Sequence, residues 1–236
     1  MVNKKISVII PAKNEEKYII NPIKGLKVQT RKNFESILVD GGSIDKTVNI
    51  AKTYVDFVIV DKRKGIGRAR NTGAKKSKGE ILIFIDADTM PSKKLIESYA
   101  KAFEDKTVVA ATGPILPLEK TGVITRLGFK FVSIFFVKAA LTLGKPSVVG
   151  SNFAVRRDAF FKIKGFNENL ITYEDWDLST RLKKLGRIIF VNDATVFTSI
   201  RRIKTWGILG FFKFHFGNMV KYALFKKSKD YYEEIR

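Results

Sequence analysis

Between residues 6 and 112 the chain repeats one rhythm, a short apolar run followed by a longer stretch of helical periodicity. The runs are ISVII, SILV, DFVIV, ILIFI and TVVAAT, and the periodic stretches between them cover 15–29, 45–54, 66–76 and 92–104. Continuous apolar runs bounded by helices predict strands buried on both faces, hence βαβ units and a mostly parallel, Rossmann-like α/β sheet flanked by helices. A hydrophobic content of 45% over 236 residues supplies the core such a sheet needs.

In open sheets of this kind ligands bind beyond the carboxyl ends of the strands. The residues after each run here are polar: PAKNEE, DGGSIDKT, DKRKGIGRARNTG and DADT. One sheet edge is therefore expected to offer Glu15, Asp40, Arg68, Arg70, Asp86 and Asp88 to a common crevice. Asp86 and Asp88 end a buried strand, where two carboxylates lose hydration and repel each other unless a cation or donors compensate. A hard divalent ion, Mg2+ or Mn2+, is the natural compensator, because such ions bind through one or two carboxylates plus substrate phosphates. The structural alternative is a helix cap at Asp88 or Thr89, with Asp86 paired to a nearby arginine.

GIGRARNTG matches the start of a dinucleotide fingerprint at Gly65 and Gly67, but it comes after the third strand, and Arg70 stands where the last glycine belongs. A nicotinamide enzyme is thereby disfavoured. Arg68 and Arg70 instead suit a substrate diphosphate, unless the glycines only open a basic helix. Farther along, Leu178, Leu182 and Leu185 share a face and predict a helix from Glu174 to Leu185. Glu174, Asp175 and Asp177 at its start either favour the helix dipole or supply a general base. His215, the single histidine, lies in FFKFHFGNMV, where packing and Mn2+ ligation are both open readings.

Charge and composition narrow the partner. Lys and Arg number 44 against 23 Asp and Glu, a net +21, which implies an anionic partner: nucleic acid, an acidic membrane surface or phosphorylated small molecules. Without a cysteine there is no disulfide framework, thiolate metal site or thiol nucleophile. The first residues lack a signal-peptide pattern, so a cytoplasmic catalytic surface is expected.

With these motifs in hand the sequence resembles family-2 glycosyltransferases of the GT-A fold. SVIIPAKNEE, LVDGGSIDKT, GIGRARNTG, FIDADT, GSNFAVRRDAFFKIKGFNENL and YEDWDLSTRLKKLG succeed one another in the family's order. The resemblance implies a UDP- or GDP-sugar donor across the sheet edge. Pro11, Ala12, Asn14 and Glu15 would line the nucleoside pocket, Asp40 would contact the base, and Arg70 would approach ribose or phosphate, with Gly67 and Ala87 completing the donor-binding set. Asp86 and Asp88 would hold the Mn2+ or Mg2+, with His215 a candidate third ligand, and Asp175 would deprotonate an acceptor hydroxyl in one inverting displacement. It also implies a catalytic domain over 1–200, divided into a donor half at 1–113 and an acceptor half at 114–200. Residues 201–236 would then form basic, aromatic, amphipathic C-terminal helices. Processive members carry Q-x-x-R-W; here RRIKTW has Thr205 in place of that arginine, which argues against polymer synthesis.

Residues 127–143 and 206–225 are apolar and aromatic but interrupted by lysines, a pattern of helices lying in a membrane interface. With the +21 charge they predict peripheral attachment to an anionic membrane at its cytoplasmic face and a lipid-linked or glycan acceptor; covering the sheet or a second chain is the plain alternative. Related readings are a polyprenyl-phosphate sugar synthase, whose ionised acceptor needs no base, and a nucleotidyltransferase, whose expected phosphate loop is absent. A nucleic-acid-binding module is the rival from another class, and it leaves the rim acids unexplained.

Overall fold

The structure, a computed structural model, describes residues 5–144 and 148–225; the side chains at 124, 132, 208, 209, 211, 212, 215, 216, 219, 220 and 223–225 fall outside the description. The apolar runs form β1 (Ile6–Ala12), β2 (Phe34–Asp40), β3 (Phe57–Val60) and β4 (Ile81–Ile85), joined by α1 (Ile20–Lys27), α2 (Thr47–Ala51) and α3 (Ile66–Lys76). After β4 come a short β5 (Thr89–Pro91), α4 (Leu95–Ala102), β6 (Val108–Thr112) and β7 (Ile115–Pro117). Helix α5 (Val123–Lys130) runs through a π-helical segment, Phe131–Phe136, into α6 (Val137–Thr142). The chain continues through β8 (Asn152–Arg156), α7 (Arg157–Lys162), α8 (Glu174–Leu182), β9 (Arg187–Phe190), β10 (Val196–Thr198) and α9 (Arg201–Phe225), the last broken at Gly207, whose φ of 69° no helix contains.

The seven-stranded sheet has the order β3-β2-β1-β4-β8-β6-β9. Strands β3, β2, β1 and β4 are mutually parallel, as are β6 and β9, whereas β8 runs antiparallel to both its neighbours. Both faces are covered, which is why β4 is apolar at every position: Ile81, Ile83 and Ile85 meet Leu95, Ile96, Tyr99 and Phe103 on one side. Leu82 and Phe84 meet Phe153, Phe160, Leu178 and Leu182 on the other. Gly73 lets α3 close on the sheet, since a Cβ there would stand 2.5 Å from the Ile9 Cγ2.

Register fixes the rim. Ala12 pairs with Asp40 and Asp40 with Val60, so the loops after β1, β2 and β3 leave the sheet side by side. The chain winds outward from β1 in both directions, and the crevice between β1 and β4 is the topological switch point where ligands collect. A second sheet of order β5-β10-β7 continues from that crevice, with Thr89 opposite Thr198.

Three expectations need correction. The stretch 15–29 is helical only over Ile20–Lys27, because Asn14 turns the chain with a left-handed φ of 52° and Glu15 to Ile19 form a turn. The helix cap offered as the structural alternative at Asp88 or Thr89 does not form, because Thr89–Pro91 is strand β5, too short to print a periodicity, although Asp86 does pair with Arg70. The helix expected to reach Leu185 ends at Leu182. Strand β8, from the second half of the chain, lies between β4 and β6, so the two halves share one sheet. Among the described residues no helix is long and apolar enough to cross a membrane.

Candidate active site

Strand β4 delivers Asp86 and Asp88 to the switch point, and α3 places Arg70 behind them. The Arg70 side chain is 2% exposed, and it donates from Nη2 to Asp86 Oδ1 at 2.8 Å and from Nη1 to Glu174 Oε1 at 2.8 Å. Gly150 closes the arrangement: a Cβ there would stand 2.9 Å from the Arg70 Nη1. The Gly150 N–H donates to Asp175 Oδ2 at 2.9 Å, and the Trp176 N–H to Asp175 Oδ1 at 2.8 Å. One buried guanidinium thus joins the acids after β4 to the acids opening α8. Tyr173, just before them, holds a left-handed φ of 65°, strain of a kind that persists only where surrounding contacts fix the turn. Burial holds both Glu174 and Asp175 above the ordinary carboxylate range; repulsion from Asp175 adds to it at Glu174 against the pull of Arg70, and at Asp175 the Gly150 N–H and Arg70 oppose it.

Asp88 belongs to a second network. Its Oδ2 lies 3.2 Å from Arg201 Nη2, and Arg201 grips both oxygens of Glu15, at 2.6 and 2.7 Å, while stacking 4.6 Å from the centre of the Tyr18 ring. The Ser199 N–H donates to the Asp88 carbonyl at 3.2 Å, and Glu119 accepts from the Ser199 hydroxyl and the Ile200 N–H, fixing the start of α9 to the rim. Burial pushes Asp88 up to about 6; Arg201 opposes this, and repulsion from Asp86 and Glu15 adds to it.

These acids fit a hard divalent ion. Asp86 engages a protein donor through Oδ1 only, among the described residues, and its side chain is 30% exposed at the crevice. The ionised form of Asp88 is under-compensated even beside Arg201, because burial and repulsion from Asp86 and Glu15 outweigh it. No cluster of three or more acidic or imidazole side chains is arranged for a metal among the described residues, so the rim offers two carboxylates and leaves other ligand positions to substrate phosphate oxygens. The His215 side chain lies outside the described residues.

The burial of Asp88 gives the site a pH dependence of definite sign. The folded value of Asp88, about 6, exceeds the free value of 3.8, so the folded state binds its proton more tightly. Stability contributed by this group is fully present at low pH and lost as pH rises through about 6. A metal needs the ionised form and has the opposite sign. The rise in melting temperature on adding Mn2+ and a nucleoside diphosphate is therefore expected to be larger at about pH 7.5 than at about pH 5, measured by thermal shift at both.

The remaining predicted residues divide. Pro11 and Ala12 end β1, and Ala87 is buried between the two acids. The Asn14 side-chain oxygen accepts from the Ile44 N–H at 2.8 Å, and the Asn14 backbone N–H donates to Ser43 Oγ at 2.8 Å, stitching the first two loops together. Asp40, expected to contact a base, is 2% exposed and accepts from the Gly42 and Ser43 N–H groups and the Ser43 hydroxyl, so its carboxylate shapes its own loop. Arg70 and Arg68, expected near a diphosphate, are committed to protein acids, Arg68 donating to Glu168 at 2.7 Å. Gly67 has a packing reason: a Cβ would stand 3.1 Å from the Phe166 Cβ and 3.6 Å from the Glu174 Cγ. Sequence reasoning missed Arg201 as a member of the site; its only signal is the paired arginines after β10.

The profile of the family described as "Glycosyl transferase family 2" matches residues 7–163. A profile described as "N-terminal domain of galactosyltransferase" matches 131–205. Among curated relatives, uncharacterized glycosyltransferase RT0329 of Rickettsia typhi is 26% identical over 217 residues, covering 85% of this chain and 65% of that protein. Glycosyltransferase AglE of Haloferax volcanii is 36% identical over 100 residues, covering 39% of this chain and 33% of its own. The chain spans 29%, 36% and 65% of the length of three curated glycosyltransferases that it matches, less than two-thirds of each. Among solved structures, S. aureus TarS 1-349 in complex with UDP-GlcNAc superposes with a TM-score of 0.68 at 23% identity, over 84% of this chain and 59% of that one. Mannosyltransferase PcManGT of Pyrobaculum calidifontis, in complex with GDP-Man and Mn2+, gives 0.69 at 20% identity, over 92% and 64%. At these identities the likeness is one of fold.

Proposed function

The chain belongs to glycosyl transferase family 2 and has the GT-A fold, and from that premise we propose that it moves a sugar from a nucleoside-diphosphate sugar to an acceptor hydroxyl with inversion. The observation that carries this reading is the Asp86–Arg70–Glu174 bridge, which joins a two-carboxylate cation site to the acids of α8 across one rim. Two structural neighbours, solved with UDP-GlcNAc and with GDP-Man and Mn2+, support the donor class.

Asp86 and Asp88 would hold Mn2+ or Mg2+, which when bound would neutralise charge on the departing diphosphate. The rest falls to the chain's own groups. Asp175, fixed by two backbone N–H donors and held above the ordinary carboxylate range, takes the acceptor proton as the hydroxyl oxygen bonds to the anomeric carbon. The bond from that carbon to the donor phosphate breaks, and its electron pair leaves with the nucleoside diphosphate. Arg70 keeps Asp86 and Glu174 in place, so that the base and the cation site hold their separation. Arg201 ties Glu15, at the nucleoside loop, to Asp88.

In this reading residues 1–113 supply the donor side, 114–200 the acceptor side, and 201–236 a C-terminal element that starts on Asp88. The acceptor is a sugar hydroxyl on a lipid carrier or envelope glycan at the cytoplasmic membrane face. Thermal-shift titration with UDP- and GDP-sugars, with and without Mn2+, followed by assay of nucleoside diphosphate release, tests it. The expected result is a shift with one nucleotide class that deepens with Mn2+. Pyrophosphate release would mark a nucleotidyltransferase instead. Salt-sensitive DNA binding without any nucleotide-sugar shift would mark a nucleic-acid-binding protein.

A further inference from the structure

We infer that α5 and its π-helical continuation form a docking face for an anionic lipid surface. Val123, Leu127, Phe131 and Phe135 are spaced four apart, and each is 58 to 74% exposed. In a regular α-helix a spacing of four drifts around the axis at every step. The π-helical segment Phe131–Phe136, with its wider turn, winds that drift back and keeps Phe135 beside Phe131, the two rings stacking at 5.2 Å. A continuous apolar stripe on the outside of the molecule is the result, and soluble chains rarely leave one uncovered.

Charge decides what covers it. Arg126 and Lys130, neither of them buried, accompany the stripe, and no Asp or Glu occurs from Lys120 to Arg157. A second copy of the chain would bring the same uncompensated cations, and another +21, against this face. Anionic headgroups around inserted aromatic side chains satisfy both the apolar and the charged parts. The face is also rigidly placed. Helix α5 packs on β7, α6 packs on β9, and β7 belongs to the small sheet whose β5 begins next to Asp88. The docking face rests on the stripe and its charge alone; that it brings a lipid-borne acceptor to the rim rests on the transferase reading above.

Co-sedimentation of the full chain with phosphatidylcholine vesicles, with and without phosphatidylglycerol, tests the inference. Wild type is expected to bind the phosphatidylglycerol vesicles at low salt. The triple substitution Leu127→Gln, Phe131→Gln, Phe135→Gln, all at exposed sites, is expected to weaken binding about tenfold or more. Arg126→Glu with Lys130→Glu should remove the preference for phosphatidylglycerol. Vesicle binding unchanged in the triple variant would overturn the proposal and point to residues 201–236, as would a wild-type dimer that the triple variant turns into a monomer. Nucleoside diphosphate release from donor hydrolysis in vesicle-free solution should be equal in wild type and triple variant. Its absence from both, with vesicles bound by wild type and released by the triple variant, would sink the transferase reading and leave the docking face standing.

Discussion

If the proposed transfer holds, Asp88→Asn is expected to lower it by at least about a thousandfold, because the charge proposed to anchor the cation is gone. The same substitution should leave the ligand-free fold as stable as wild type or more so. An amide at this position has no buried charge to desolvate and no repulsion from Asp86 and Glu15. Arg201 keeps its two-pronged grip on Glu15. Two readouts on one variant separate the site from the scaffold: initial rates of nucleoside diphosphate release, and melting temperature with and without donor and Mn2+. Loss of the Mn2+-dependent shift at an undiminished ligand-free melting temperature is the expected pair. A full shift in the variant would place the cation elsewhere.

Asp175→Asn should retain donor binding and the Mn2+ shift, and lose about a hundredfold to ten-thousandfold in turnover with a hydroxyl acceptor. The amide oxygen can still accept from the Gly150 N–H, so the geometry of α8 and the Arg70 bridge should survive while the proton acceptor does not. The measurement is kcat and KM for donor and acceptor separately; the loss belongs in kcat. Near-normal turnover in this variant would indicate an acceptor already ionised, as in transfer to a polyprenyl phosphate, and would retire Asp175 as the base. Glu174→Gln is the useful contrast, because it weakens the charge-assisted hydrogen bond to Arg70 and should disturb donor and acceptor sides together.

The sheet was readable from sequence because its central strands are buried on both faces, which writes an unbroken apolar run where a half-exposed strand writes an alternation. The rim residues were readable for the same reason: the polar residues at the carboxyl end of such a run leave the sheet at its ligand-binding edge. The partners of those residues were not. Arg70 looks like a ligand-facing cation in a glycine-rich helix start, and its burial depends on Gly150, Phe166 and Glu174 arriving from far along the chain. Asp40 looks free until its own loop folds back onto it. Arg201 reaches Glu15 across 186 positions, a proximity that no local pattern encodes. The π-helical turn was equally hidden, since it changes which residues share a face without changing their order.

The antiparallel strand β8 carries a consequence for how the molecule comes into being. Residues 152–156 fill the slot beside β4, so a nascent chain that has emerged only as far as β6 presents the row of hydrogen-bonding groups along β4 to whatever lies nearby. Gly150, which lies against Arg70 and donates to Asp175, sits two residues before that strand. The slot beside β4 is filled only by residues 152–156, and the Glu174 end of the Arg70 bridge only by residue 174, so a polypeptide shorter than that has neither the closed sheet nor the complete bridge.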